Sequence, residues 1–504
     1  MPSHMDAGLR TPPLHRWLDA ASGMLLMALT VCAPWAFGGV PPWARWLVCG
    51  IGYTLGLLLL AKHVVRLRAG FEPPRWVSPS PRGVWAVRTL AVLSLVLMEY
   101  LVVSGFNARA TLQIGHRGVD LLYHQRPPVA WLPTTYDAGG TLRQMALYGA
   151  LVFTFWAARD WLLGRSRHER HAPETVFFPP ARLRQLLWTL SLSSAALALV
   201  GITQRFDGTD QLLWMVRTPI PWQVRPTLLN PPDMSWGPFA ARAAGSAYFN
   251  LVWPVALGFW WCLHLSAVGR AGAAHRIGGD ASVLLIPSTL LMAACPWIAG
   301  GRSGALIALG QWAVIVLVFA AIRRPSGSKG WSLKALALVI LLGLAGTVVD
   351  GPLSRRFNAA FDDALNSRVE VGRVVDRMSA DAGWLGTGAG SFAGLYALYR
   401  AQPEDRWVAF AHNDWMETRI TLGRFGLALG VILLVTAAVV WRTGTGLRAP
   451  REFVLLVATA LGGLLVQAFV EFPFQIPALA VLFLILLAVL LATPGTGAHH
   501  SRHS

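Results

Sequence analysis

Runs of about twenty mostly apolar residues recur along this chain, and no other feature restricts its fold as tightly. A run of that length crosses a bilayer as a helix. In hydrocarbon a helix is one of only two backbone forms that satisfy their own polar groups, the other being a closed barrel. Such runs lie near Ala21–Val40, Trp46–Val65, Val84–Gly105, Thr141–Leu163, Leu183–Thr203 and Ser246–Leu265. They continue at Ala281–Ala299, Ser303–Ile322, Leu333–Val349, Thr421–Val440, Phe453–Val470 and Ile476–Ala492. The predicted fold is therefore an all-α polytopic membrane protein with about twelve transmembrane helices. Pro34-Trp35 and a second run follow the first, so a cleaved signal peptide is not expected.

Composition agrees. Of 504 residues, 54% are hydrophobic and 13% charged, against about 45–50% and about 25% in soluble domains. This argues against a soluble enzyme and against a disordered chain. Cys32, Cys49, Cys262 and Cys295 sit inside apolar runs and make neither a disulfide framework nor a metal spacing. A net charge of +18 would suggest nucleic acid in a soluble protein. Here it belongs to the loops of a membrane protein, and no nucleic-acid partner is expected.

The basic loops set an orientation. Lys62, Arg66, Arg68, Arg75, Arg82 and Arg88 separate runs two and three; Arg165, Arg167, Arg170, Arg182 and Arg184 separate four and five. Arg323, Arg324, Lys329 and Lys334 follow run eight, and Arg442, Arg448 and Arg451 follow run ten. With twelve spans all these loops share one side, which the positive-inside rule makes cytoplasmic. Residues 1–20 then form a cytoplasmic tail, 21–349 nine transmembrane helices, and 350–420 a long external loop containing short helices. Residues 421–492 form the last three spans, and 493–504 a tail expected to be disordered. Phe106–Gly140 and Gln204–Gly245 also fall outside.

Four external features carry chemistry. Gly300-Gly301-Arg302-Ser303-Gly304 sets an arginine in an apolar hairpin, where a charge at membrane depth marks either a functional site or a side chain reaching for headgroups. Around Ser367–Asp381, where a short helix is predicted, Arg368, Glu370, Arg373 and Arg377 flank apolar positions. Arginines converging there suit a diphosphate through paired hydrogen bonds, although Arg377 fits an ordinary solvated face. Gly386, Gly388 and Gly390 lack the strand–loop–helix context of a nucleotide cradle and predict a tight turn. Finally, Ala411-His412-Asn413-Asp414-Trp415-Met416-Glu417 places a histidine beside carboxylates, a combination suited to general-base work near neutral pH. No second histidine or cysteine accompanies it, so no metal site is expected.

In order and spacing, Gly301-Arg302-Ser303-Gly304, Ser367-Arg368-Val369-Glu370, Leu385–Phe392 and Ala411–Trp415 resemble segments of the O-antigen ligase and polymerase superfamily of bacterial membrane glycosyltransferases. Thr421–Leu427 and Val470–Ala478 extend the resemblance, which covers roughly residues 190–490. Gly237-Pro238-Phe239, Arg242 and Tyr248 are similar to a further family stretch. There Ala243-Ala244 stand where the family often has Asn or His, which puts a polar acceptor contact at that point in doubt.

The resemblance implies a GT-C-type fold and a glycan donor on undecaprenyl diphosphate. Transfer would occur on the periplasmic face of the inner membrane, inverting and without metal or other cofactor. Arg302 and Arg368 would bind the diphosphate, and His412 would activate the acceptor hydroxyl. Arg242 is a further candidate phosphate contact, and Glu370, Arg373 and Asp414 are candidates to orient substrate. The acceptor would be lipid A–core for a ligase, another carrier-linked glycan for an O-antigen or exopolysaccharide polymerase, or a protein hydroxyl for an oligosaccharyltransferase. A lipid-linked glycan flippase is the non-enzymatic alternative. Transporters of that kind often show two symmetric halves, and this sequence shows no internal repeat.

Overall fold

A computed structural model of the chain describes residues 11–76, 81–115, 118–123, 127–166, 169, 178–209, 211–216, 235–271, 281–322, 371–400, 408–443, 446, 447 and 449–493. Its long helices are α1 (Pro13–Trp35), α2 (Pro42–Ala69), α3 (Pro81–Phe106), α4 (Ala138–Leu163), α5 (Ala181–Asp207) and α6 (Arg242–Ala271). They continue with α7 (Leu285–Ile298), α8 (Arg302–Ile322), short helices α9 (371–381), α10 (Phe392–Tyr399) and α11 (Asp414–Thr421), then α12 (Gly423–Thr443), α13 (Arg451–Gln467) and α14 (Pro477–Ala492).

Eleven of the twelve apolar runs coincide with a described helix; the run Leu333–Val349 lies outside the described residues. By length and hydropathy, six of the helices can cross a membrane: α1, α2, α3, α5, the Arg302–Phe319 part of α8, and α12. The protein is mostly helical. One element was not anticipated. Ala110–Gly115 (β1) and Gly118–Tyr123 (β2) pair antiparallel as a hairpin between α3 and α4. The alternation in it is short and lies among polar residues, a weak strand signal beside the long apolar runs.

α14 is the axis of the packing. It is apolar on every face, and most of its residues are buried, as expected of a helix with no polar stripe. It packs against α4, α1, α13 and α12. Small residues let other helices approach closely. A Cβ on Gly52 of α2 would lie 2.7 Å from the Ala150 side chain of α4, and one on Gly23 of α1 would lie 2.6 Å from the Trp161 indole. Trp236 is fully buried against Gly201 of α5 and Gly245 of α6.

The two ends of the bundle differ. At one end α1, α2, α4 and α5 meet in an ionic cluster. Arg66 pairs with both carboxylate oxygens of Asp160 at 2.8 and 2.9 Å. The fully buried Lys62 Nζ reaches Asp160 at 2.9 Å and Asp19 at 3.4 Å. Arg75 joins Asp160 at 2.9 Å, and Arg182 joins Asp19 at 2.6 Å. At the other end α3, α5 and α7 finish and α4, α6, α8, α12 and α14 begin. The short helices and the glycine turn gather over those ends.

Asp160 holds three cations, so its charge should matter more than its volume. Removing one partner of a buried ion pair costs roughly 3–5 kcal/mol because it strands the opposite charge. Asp160→Asn, nearly isosteric, is therefore expected to lower unfolding stability on that scale, as thermal melts of the detergent-solubilised protein would read. A melt unchanged from wild type would show that the cluster contributes little.

Candidate active site at the rim of the bundle

Backbone pairing builds the rim. The Tyr136 N–H donates to Thr387 O at 3.0 Å, Thr387 N–H to Ile420 O at 3.0 Å, and Gly388 N–H to Thr421 O at 2.8 Å. The Thr141 hydroxyl donates to Ala389 O at 2.6 Å, and the Tyr100 hydroxyl to Leu385 O. Gly386, Gly388 and Gly390 have φ of 69°, 97° and 78°, a region that L side chains rarely occupy. A Cβ on Gly388 would collide with Thr135, and one on Gly386 with the backbone at Thr421 and Gly423. These glycines make a tight turn that joins the α3–α4 connection to the start of α12. The predicted helix before them is present over 371–381; it buries Val374, Val375 and Met378 against Phe392, Tyr396 and Ile420.

His412 stands at the centre of this rim. It has φ of 52° and immediately precedes Asn413, whose side chain caps α11 by accepting from Met416 N–H at 3.0 Å. The left-handed backbone turns the imidazole toward the α13–α14 connection, where it meets Phe472 edge-on at 4.9 Å. Its Nδ1 lies 3.6 Å from Glu471 Oε2, and the side chain is 41% exposed against 9% for Glu471. The second oxygen of Glu471 accepts from the Ser303 hydroxyl at 3.3 Å. Ser303 is in the first turn of α8, directly after Arg302. The structure thus brings the histidine motif and the arginine motif together through a carboxylate that sequence reasoning had not singled out. Glu471 sits in the recurring Val470–Ala478 segment; a lone acid between two apolar runs was the available signal.

Arg302 and Arg242 are half-buried and open α8 and α6. Those first turns touch: a Cβ on Gly301 would lie 2.6 Å from Ser246 Oγ and 3.5 Å from Arg242 O. Gly304 likewise leaves no room for a Cβ beside Ser246. Two helix N-termini, each bearing an arginine, bring partial positive charge together here. Gln467, at the end of α13, donates to Ala243 O at 3.4 Å and holds that end against α6.

The other sequence-predicted residues fall as follows. Asp414 is buried, and its carboxylate accepts from Phe474 N–H at 2.8 Å and from the Gln475 amide at 3.3 Å. It clasps the histidine helix to the segment bearing Glu471. Arg373 is exposed on the outer face of α9, beside Asp376 and Arg377. Arg368 and Glu370 lie outside the described residues. Among the described residues, no group of three His, Cys, Asp or Glu is arranged to hold a metal ion.

Two carboxyls here are shifted. Burial pushes Asp414 up to about 7, opposed by the Phe474 N–H and the Gln475 amide. Burial, with Asp414 as neighbour, pushes Glu417 up to about 8, opposed by the Ala411 N–H that donates to its carboxylate at 2.9 Å.

Residues 287–431 match the family model of O-antigen ligase, which supports the resemblance to the O-antigen ligase and polymerase superfamily. The match includes Arg302, Arg368, Glu370, Arg373, His412 and Asp414; Arg242 and Glu471 lie on either side of it. No curated protein matches the chain. Family and apolar helices together make this a bacterial membrane protein.

The raised carboxyls fix a pH dependence. In the unfolded chain these groups ionise at their ordinary values, near 3.8 and 4.5, while the folded protein keeps them protonated to about 7 and about 8. Between those limits the unfolded state binds fewer protons, so stability falls as pH rises and levels off above the folded values. The melting temperature should therefore decline from about pH 4.5 to about pH 8. Glu417→Gln should flatten that decline. An identical slope in the variant would remove Glu417 from this account.

Proposed function

We propose that this protein is an inner-membrane glycosyltransferase that moves a glycan from undecaprenyl diphosphate to an acceptor hydroxyl at the periplasmic surface, as an O-antigen ligase or an O-antigen or exopolysaccharide polymerase. The observation that carries this reading is the Glu471 bridge between His412 and the Arg302-bearing turn, within and beside the O-antigen ligase match. In the corresponding topology twelve spans enclose the rim. Both termini are cytoplasmic, and residues 350–420 form the periplasmic loop.

The chemistry follows from the charges. His412 accepts the acceptor hydroxyl's proton as the oxygen attacks the anomeric carbon. The bond from that carbon to the diphosphate breaks, with inversion. Negative charge grows on the leaving carrier diphosphate, where Arg302 and Arg368 stabilise it without a metal. Arg242 adds a further phosphate contact from the adjoining α6 terminus. Glu471 acts through His412. With a proton on Nδ1 facing the carboxylate, Nε2 is left as the base, and the imidazolium is stabilised once formed. A contact of 3.6 Å is long for a hydrogen bond, and such contacts tighten when substrate binds. Asp414 positions this pair by holding α11 against the Phe474 turn. Arg373 and Glu370 contact or orient the glycan from the loop.

The test is transfer in proteoliposomes supplied with undecaprenyl diphosphate-linked oligosaccharide, in EDTA. His412→Ala should lower the rate by about 10²–10⁴-fold. Arg302→Ala and Arg368→Ala should each abolish transfer while the protein still inserts. Arg368→Lys should also lose most activity, because it keeps charge but not the paired donors. Glu471→Gln should lower kcat by about tenfold or more and shift the pH–rate profile, while Arg377→Ala stays near wild type. Carrier-linked products of increasing length would mark a polymerase, and product only with lipid A–core a ligase. Wild-type activity in the Arg302, Arg368 and His412 variants together would sink the site assignment. Glycan crossing the bilayer without transfer would favour the flippase.

A further inference from the structure

The ionic cluster at the opposite end of the bundle has more cations than its carboxylates can hold. Asp160 spends one oxygen on Arg66 and Arg75 and the other on Arg66 and Lys62. Asp19 spends its two on Lys62 and Arg182. All four carboxylate oxygens are thus engaged. Arg16 and Arg165 line the same cleft and add two further charges. Glu72 lies close enough to Arg75 to act on it, while Glu169 is committed to the N–H groups of Ser166 and Ala181. Arg159 adds another positive charge behind Arg75. The cations therefore still outnumber the acids among the described residues.

These side chains surround an open cleft of about 50 Å³ between the start of α1, the end of α2, the residues after it and the end of α4. Its donors are held in place. Arg165 stacks over Trp76 at 4.6 Å, and its Nε is buried with no hydrogen-bond partner. Arg182 stacks over Trp161 and donates to its carbonyl at 2.7 Å. Arg66 also donates from Nε to His15 at 3.1 Å. A surplus of guanidinium groups, held in place at Arg66, Arg165 and Arg182 and exposed at Arg16, suits an anion with several acceptor oxygens, and guanidinium forks match phosphate. Trp17, next to Arg16, and Trp85, in the first turns of α3, are 75% and 73% exposed. Exposed tryptophans at helix ends mark the headgroup level of a bilayer.

We propose that this cleft binds a phosphate group, in the form presented by anionic phospholipid headgroups, at the membrane surface opposite the His412 rim. The inference rests on the chain lying in a bilayer and not on any transfer activity. Basic pockets between transmembrane helices take such headgroups. The site would hold α1, α2, α4 and α5 together by supplying the missing negative charge.

The test is native mass spectrometry and thermal melting of the purified full-length protein. The probes are cardiolipin, phosphatidylcholine and inorganic phosphate, offered separately to wild type and to Arg16→Ala/Arg165→Ala. Neither arginine is one of the cations bonded to Asp160 or Asp19, so the variant should fold; Arg16→Ala, exposed on α1, is the milder companion. Wild type should retain cardiolipin over phosphatidylcholine by about tenfold or more and melt higher in its presence, and the double variant should lose both effects. Protection by inorganic phosphate equal to that by cardiolipin would assign the site to a free ion of the same chemistry. No preference for either phosphate probe in wild type, or an undiminished preference in both variants, would overturn the proposal. Transfer assays with these variants separate the two readings: lost lipid preference with retained transfer supports this site whatever the acceptor is. Binding that persists in a protein inactive in transfer leaves this site standing when the proposed activity fails.

Discussion

The structure depends on one constraint. An apolar segment must satisfy its backbone polar groups within itself, so each long run among the described residues becomes a helix, and the charged side chains gather toward the helix ends. Within the bundle, α14 shows the consequence. Sixteen residues with no polar face can only be an axis around which other helices pack. Glycine and alanine at the contacts provide the closeness that lipid-soluble helices need to associate.

At the His412 rim, distant pieces of chain are held by few but specific bonds. Asp414 accepts from Phe474 N–H, and Asp414 N–H donates to Ala468 O at 2.9 Å. Those two bonds attach the histidine helix to the end of α13 and the turn after it. That turn carries Glu471, which reaches Ser303 on α8. A helix, a turn and a second helix N-terminus thus meet around one imidazole. The left-handed φ at His412 is a conformation a non-glycine residue holds only when its surroundings over-determine it.

The broad architecture was legible because hydrophobic run length is a strong, local signal. The glycine turn was legible too, since Gly386, Gly388 and Gly390 failed the context of a nucleotide cradle. The β1–β2 hairpin was not, being too short and polar to compete with the apolar periodicity. The role of Glu471 was not legible for a different reason. It lies 59 positions from His412 in sequence, and only the packing of α13 against α6 and α8 brings it to Ser303. Asp414 could be named from its neighbourhood to His412, but not its task. An acid beside a histidine suggests a proton relay, whereas the folded chain turns its oxygens away onto the Phe474 and Gln475 donors.

The two rims handle charge in different ways. At the far end, Asp160 and Asp19 are surrounded by guanidinium and ammonium groups. At the His412 rim the buried acids Asp414 and Glu417 are instead pushed toward neutrality by burial. A protonated carboxyl there adds no negative potential beside Arg242 and Arg302. The helix N-termini of α6 and α8 lie at this rim, and Glu471 supplies a carboxylate to the imidazole. Under the proposed reaction, a diphosphate leaving group would gain most from donors at this rim while its charge is developing, because they are fixed before the reaction begins.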